Sequence, residues 1–101
     1  MNRLVSVIHP YGGDIPGNSV KAARICSEIQ RDGDIPIFAP FVCAWLNEND
    51  PEDRAAGIEI SRYLVAQCRE ARVYGEVTAG MISDIEAAEL AGIPLRRVEV
   101  T

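Results

Sequence analysis

Apolar positions along the chain fall into short runs that alternate with helical stripes. Leu4, Val5, Val7 and Ile8 make a run that stops at Pro10 and the Gly12-Gly13 pair, the mark of a buried strand feeding a loop. After the loop from His9 to Gly17, Asn18 or Ser19 suits a helix cap, and Ala22, Ile25, Cys26 and Ile29 recur at three- and four-residue steps. A first helix is therefore predicted over 19–32, ending near Gly33. Ile35 to Pro40 reads as a second short strand, and Pro36 near its start places it at a sheet edge. Phe41 to Asn49 is aromatic and irregular. Asp50 then suits an N-cap, Pro51 the first helical position, and Glu52 and Asp53 the first turn. That second helix carries Gly57, Ile60, Leu64 and Cys68 on one face. Ala71 to Gly75 gives a third strand. Thr78 or Ala79 opens a third helix, with Met81, Ile85 and Ala88 on one face and Gly92 and Pro94 at its end. Leu95 to Val100 is the fourth strand.

This β-α-β-α-β-α-β order predicts one domain over 1–101 of the α/β class. With right-handed crossovers it becomes a minimal flavodoxin- or Rossmann-like three-layer sandwich: a four-stranded parallel sheet of order 2-1-3-4 with helices on both faces. In such sheets a ligand settles outside the carboxyl ends of the strands where their order reverses, here between strands one and three. Two loops are thereby nominated, His9 to Asp14 and Gly75 to Met81.

Composition narrows the function classes. Ten basic against fifteen acidic residues leave a formal charge of -5, which argues against a nucleic-acid polymer as partner but leaves room for a local phosphate pocket. The longest apolar stretch, Ile35 to Leu46, is broken by two prolines and falls short of the ~20 residues a membrane span needs. No membrane segment or secretory signal is expected, and a cytoplasmic protein is the reading. Cys26, Cys43 and Cys68 fit neither a disulfide framework nor a metal motif, and His9 is the single histidine, so neither a metal nor a cofactor is expected.

Within the nominated loops, Gly12 and Gly13 let a ligand approach the backbone, or simply make a turn. The N–H groups at the starts of the first and third helices favour an anion. Tyr11 can stack on a base or donate to a sugar hydroxyl, or serve as an amphipathic lid. His9 suits either acid–base work or a structural hydrogen bond. Asp84, one turn into the third helix, has the chemistry of a nucleophile or base, or merely complements the helix dipole. Glu86, about 200° further around, cannot face the same pocket. Phe38, Phe41 and Trp45 flank a segment that either closes over a ligand or buries against a neighbouring subunit, the second being the preferred reading, and Asp50, Glu52, Asp53 and Arg54 read as helix capping plus surface charge.

Taken in order, His9-Pro10-Tyr11-Gly12-Gly13, Asn18-x-x-x-Ala22, Pro36-Ile-x-x-Pro40, Asp50-Pro51-Glu52-Asp53-Arg54-x-x-Gly57, Cys68, Val73-Tyr74-Gly75, Gly80-Met81-x-x-Asp84-Ile85 and Gly92-Ile93-Pro94 resemble a short branch of the nucleoside 2-deoxyribosyltransferase superfamily over nearly the whole chain. The resemblance implies a carboxylate that attacks the anomeric carbon of a deoxyribonucleoside to form a glycosyl-enzyme intermediate. It assigns that role to Asp84, lines the pocket with the Tyr11-Gly12-Gly13 loop and Asn18, and has Gly80 and Met81 place the carboxylate, with Tyr11 as the second catalytic candidate; His9 and Gly75 join the substrate-binding candidates from their positions in the two nominated loops. It also implies a homo-oligomer, a dimer or higher. Two departures stand out. The superfamily's usual nucleophile is glutamate, so Asp84 draws the carboxylate back by more than ~1 Å. Arg69-Glu70 stands where an acid often follows the cysteine directly. The expected function is nucleoside or nucleotide binding with N-glycosidic cleavage or exchange. The alternatives are a non-catalytic binder of a nucleotide-derived signal, and a structural interaction protein that uses Phe41, Val42 and Trp45.

Overall fold

The computed structural model describes residues 2–99. Its elements run β1 (Leu4–Ile8), α1 (Ile15–Arg31), β2 (Ile35–Ile37), α2 (Ala39–Val42), α3 (Pro51–Ala66), β3 (Glu70–Tyr74), α4 (Ala79–Ala91) and β4 (Leu95–Val98). The four strands form one parallel sheet in the order β2-β1-β3-β4, with Leu4 opposite Ile35, Val5 opposite Glu70 and Ala71 opposite Leu95. This is the architecture and strand order that the alternation of apolar runs and stripes predicts.

The period-two pattern of the strands divides the core in two. Val5 and Val7 of β1 pack with Ala22 and Ile29 of α1, Phe38 and Tyr74 on one side of the sheet. Ile8, Ala71 and Val73 pack on the other side with Val65 of α3 and Met81, Ala87 and Ala88 of α4. Val5 and Ile8 are essentially fully buried, and each such side chain contributes about 1.5–3 kcal/mol of transfer free energy.

Several details differ from the sequence expectation. Helix α1 begins at Ile15, because Asp14 rather than Asn18 or Ser19 is the cap: its Oδ1 accepts the Gly17 N–H at 3.1 Å. Strand β2 ends at Ile37, and Ala39–Pro40 instead open the short helix α2, where a proline in the first turn forgoes no hydrogen bond. The buried stripe of α3 runs through Ser61 and Val65, one position round from the Ile60–Leu64 line, and Cys68 is buried in the turn after the helix ends at Ala66. Strand β4 ends at Val98, and Val100 lies outside the described residues. Helix α3 starts as its sequence predicts, with Asp50 accepting from the Glu52 and Asp53 N–H groups. The left-handed Gly92, at φ 71°, closes α4. Among the described residues no helix is long and apolar enough to cross a membrane.

Candidate functional site

A cavity of about 370 Å³ opens at the carboxyl ends of β1 and β3, within the size range of small-molecule sites. Three walls meet there. His9, Tyr11 and Gly12 follow β1; Phe38 to Pro40, Cys43, Ala44 and Leu46 to Glu48 come from α2 and its flanking segments; Thr78 to Met81, Ser83 and Asp84 come from the start of α4. The third wall continues along α3 through Asp53, Arg54, Gly57 and Ser61. Residues 53, 57 and 61 repeat at four-residue steps and so share one helix face.

Of the nine residues nominated from sequence, His9, Tyr11, Gly12, Gly80, Met81 and Asp84 line the cavity, whereas Gly13, Asn18 and Gly75 do not. Asn18 works from behind the loop: its Nδ2 donates to the carbonyls of Tyr11 and Gly12 at 3.1 and 3.4 Å, fixing the backbone that faces the cavity. Gly75, at φ 70°, makes the turn out of β3, and a Cβ there would meet Pro10 at 3.4 Å. His9 is buried and its Nδ1 lies 2.7 Å from the Pro10 carbonyl. Because a carbonyl only accepts, Nδ1 carries the proton in that bond, and a neutral ring keeps Nε2 as an acceptor. The Phe38 ring stands edge-on to His9, Tyr11 and Phe41, with centroids 6.3, 6.1 and 4.8 Å away, so one buried aromatic orients both ring residues of the first wall. Phe38 is thus a core residue, while Phe41, Val42 and Trp45 are exposed.

Asp84 is the carboxylate that α4 delivers to the cavity. Its Oδ1 accepts a 2.6 Å hydrogen bond from the Ser61 hydroxyl. Burial pushes its carboxyl above the ordinary aspartate value, against the lowering effects of the Ser61 bond and the Arg62 charge. Glu86 points away from this site to Arg62, at 3.9 Å. Cys43 also lines the cavity, but burial raises its thiol, which keeps it from acting as a ready thiolate. Among the described residues no three His, Cys, Asp or Glu side chains converge to hold a metal ion.

Over residues 3–98 the sequence matches the family described as Domain of unknown function (DUF7768). The chain belongs to that family. No curated protein matches the sequence. The DUF7768 fold, however, is shared with solved structures of known enzymes. A 2-deoxyribosyltransferase from Bacillus psychrosaccharolyticus superposes with a TM-score of 0.70 at 11% identity, covering 95% of this chain and 72% of that one. A 2-desoxiribosyltransferase from Leishmania mexicana superposes with a TM-score of 0.68 at 10% identity, covering 98% of this chain and 65% of that one. The resemblance found in the ordered motifs therefore holds at the level of the fold.

Sequence reasoning did not find the α3 wall. Asp53 and Arg54 read as capping and surface charge, and Asp53 does brace the preceding loop, accepting the Asn47 N–H at 2.8 Å; both residues also face the cavity. Ser61 gave a signal in principle, as a hydroxyl on the buried stripe of a helix. Glu70, at the amino end of β3, belongs to the opposite end of the sheet, where it pairs with Arg3, Arg72 and Arg96.

Proposed function

We propose that this DUF7768 domain binds a nucleoside or nucleotide in the cavity between β1 and β3, and that Asp84 attacks the anomeric carbon in an N-glycosidic cleavage or base exchange. The observation that carries this reading is a partly buried carboxylate, held by a hydroxyl, inside a cavity at the strand-order reversal of a fold shared with two deoxyribosyltransferases. In the proposed step an Asp84 oxygen bonds to the anomeric carbon as the bond to the base breaks, and the electron pair leaves with the base, which takes up a proton. Water or a second base then displaces Asp84 and restores the carboxylate. In this reading Tyr11 and the Gly12 backbone, which line the cavity, hold the sugar or base, and the His9 Nε2 serves as a proton acceptor.

Incubation with a panel of deoxynucleosides, ribonucleosides and their monophosphates, followed by chromatography for free base, tests this directly. Release by the wild type and a loss of at least about a thousandfold in Asp84→Asn is the expected result. Stoichiometric binding with the ligand recovered intact would favour a sequestering binder over an enzyme. Failure of every nucleoside and nucleotide to bind would remove the proposal. The exposed Phe41, Val42 and Trp45 beside the cavity favour a homo-oligomer that covers them. Light scattering should then give at least twice the chain mass, and Trp45→Glu should reduce it.

A further inference from the structure

We infer that Ser61 is the positioning residue for Asp84, holding one carboxylate oxygen so that the other is presented to the ligand; this rests on the proposed use of Asp84 as nucleophile. Ser61 lies 23 residues before Asp84, on a different helix, and is only 9% exposed. Its Oγ sits 2.6 Å from Asp84 Oδ1, the length of a strong hydroxyl–carboxylate hydrogen bond. Nothing local calls for serine there. The position lies inside α3, on the Gly57–Ser61–Val65 stripe that packs inward, where an apolar side chain is the ordinary choice. A hydroxyl that breaks both propensity and patterning points to a local demand, and the Asp84 carboxylate supplies it.

The next residue strengthens the case. Arg62 Nη1 donates to the Ser83 carbonyl at 2.8 Å and to Ser83 Oγ at 3.1 Å. Two adjacent residues of α3 therefore grip two adjacent residues of α4, and two contacts side by side fix both the sliding and the rotation of α4 at this point. An aspartate is short, so its carboxylate goes where its backbone is put. The clamp places it in the cavity wall. Among the described residues Oδ2 has no hydrogen-bond partner, and Asp84 lines the cavity.

The other charged or titratable groups around Asp84 are Arg62, Asp53 and Arg54 from α3, Glu48 from the loop before α3, Cys43 after α2, and His9 and Tyr11 after β1. On its own helix Glu86 turns outward to Arg62. Ser61→Ala removes the hydroxyl without touching the Arg62 contacts to Ser83, so it isolates the effect of the Ser61 bond on the carboxylate.

The full chain carrying Ser61→Ala, Ser61→Thr or Ser61→Cys is compared with wild type by carbon-detected NMR titration of the Asp84 carboxyl and by pH profiles of base release. Ser61→Ala should move the Asp84 titration and the acid limb of the profile up together by about one pH unit. It should also lower kcat by about 10- to 100-fold with little change in KM, as expected when a reacting group is misplaced. Ser61→Thr, which keeps the hydroxyl, should restore both, and Ser61→Cys should fall between. An Asp84 titration that does not move in Ser61→Ala would overturn the inference even if base release falls, since lost packing alone could lower a rate. If Ser61→Ala does not fold, the ordering of wild type, Ser61→Thr and Ser61→Cys decides by the same titration. If the wild type releases no base, the nucleophile reading fails, while the titration still decides whether Ser61 holds the carboxylate.

Discussion

Asp84 joins two opposed demands in one side chain. Burial favours its protonated form, whereas the proposed chemistry needs the anion. A carboxyl raised in the folded state adds to stability fully below its unfolded pKa, and that contribution is lost as pH rises through the folded value. At neutral pH the ionised group is therefore a burden on the fold, as is common where function sets the residue. Asp84→Asn should raise stability at pH 7 by about 1 kcal/mol in denaturant titrations, with the gain fading toward pH 3, while base release disappears. Sequence and helix geometry were enough to separate Asp84 from Glu86, since two residues along a helix point to different sides. They were not enough to find Ser61, Asp53 or Arg54. The position of α4 against α3 decides which face of α3 meets the cavity, and the one local signal, a hydroxyl at Ser61 on the inward stripe, does not say what it faces.

At the scale of elements, the clearest starts are those whose side chains satisfy their own N–H groups. Asp50-Pro51 marks the start of α3 without ambiguity. The start of α1 was hidden in Asp14-Ile15-Pro16-Gly17, where a glycine inside the first turn looks like loop. The structure explains that glycine: a Cβ on Gly17 would collide with the Asp14 carboxylate, so the cap and the small residue require one another. Asp14→Ala should cost about 1 kcal/mol in thermal or denaturant melts. Gly17→Ala alone should also destabilise, because Asp14 must swing out of its capping position. In the Asp14→Ala background the same Gly17→Ala change should become neutral or stabilising, since alanine is the better helix former by about 1 kcal/mol. The strand-to-helix change at Phe38 was less accessible. Two prolines four residues apart fit an extended edge as well as a strand end followed by a helical first turn.

At the scale of the molecule, stability and chemistry are divided between the two ends of the sheet. At the amino ends, Arg3 meets Asp34 at 3.1 Å, and Glu70 gathers Arg3, Arg72 and Arg96. The hydrogen bond from the Arg3 side chain holds the Asp34 carboxyl below its ordinary value, so its contribution is present above the unfolded pKa and is lost as pH falls through the folded one. Asp34→Asn should therefore flatten the acid side of the stability curve, the opposite sign to Asp84. Glu70→Ala, which strands the half-buried Arg72, should cost about 1–3 kcal/mol yet leave ligand affinity unchanged in calorimetry. The overall α/β order could be read from sequence because each βα unit announces itself locally and crossover handedness does the rest.

The exposed Trp45, set between the cavity-lining Ala44 and Leu46, is the chain's single tryptophan. Its indole emission thus comes from one place, the rim of the opening, with no background from the interior. The protein carries its own fluorophore for watching a guest arrive: quenching or a blue shift on mixing would report occupancy and its rate in a stopped-flow trace, without a label and before any product forms.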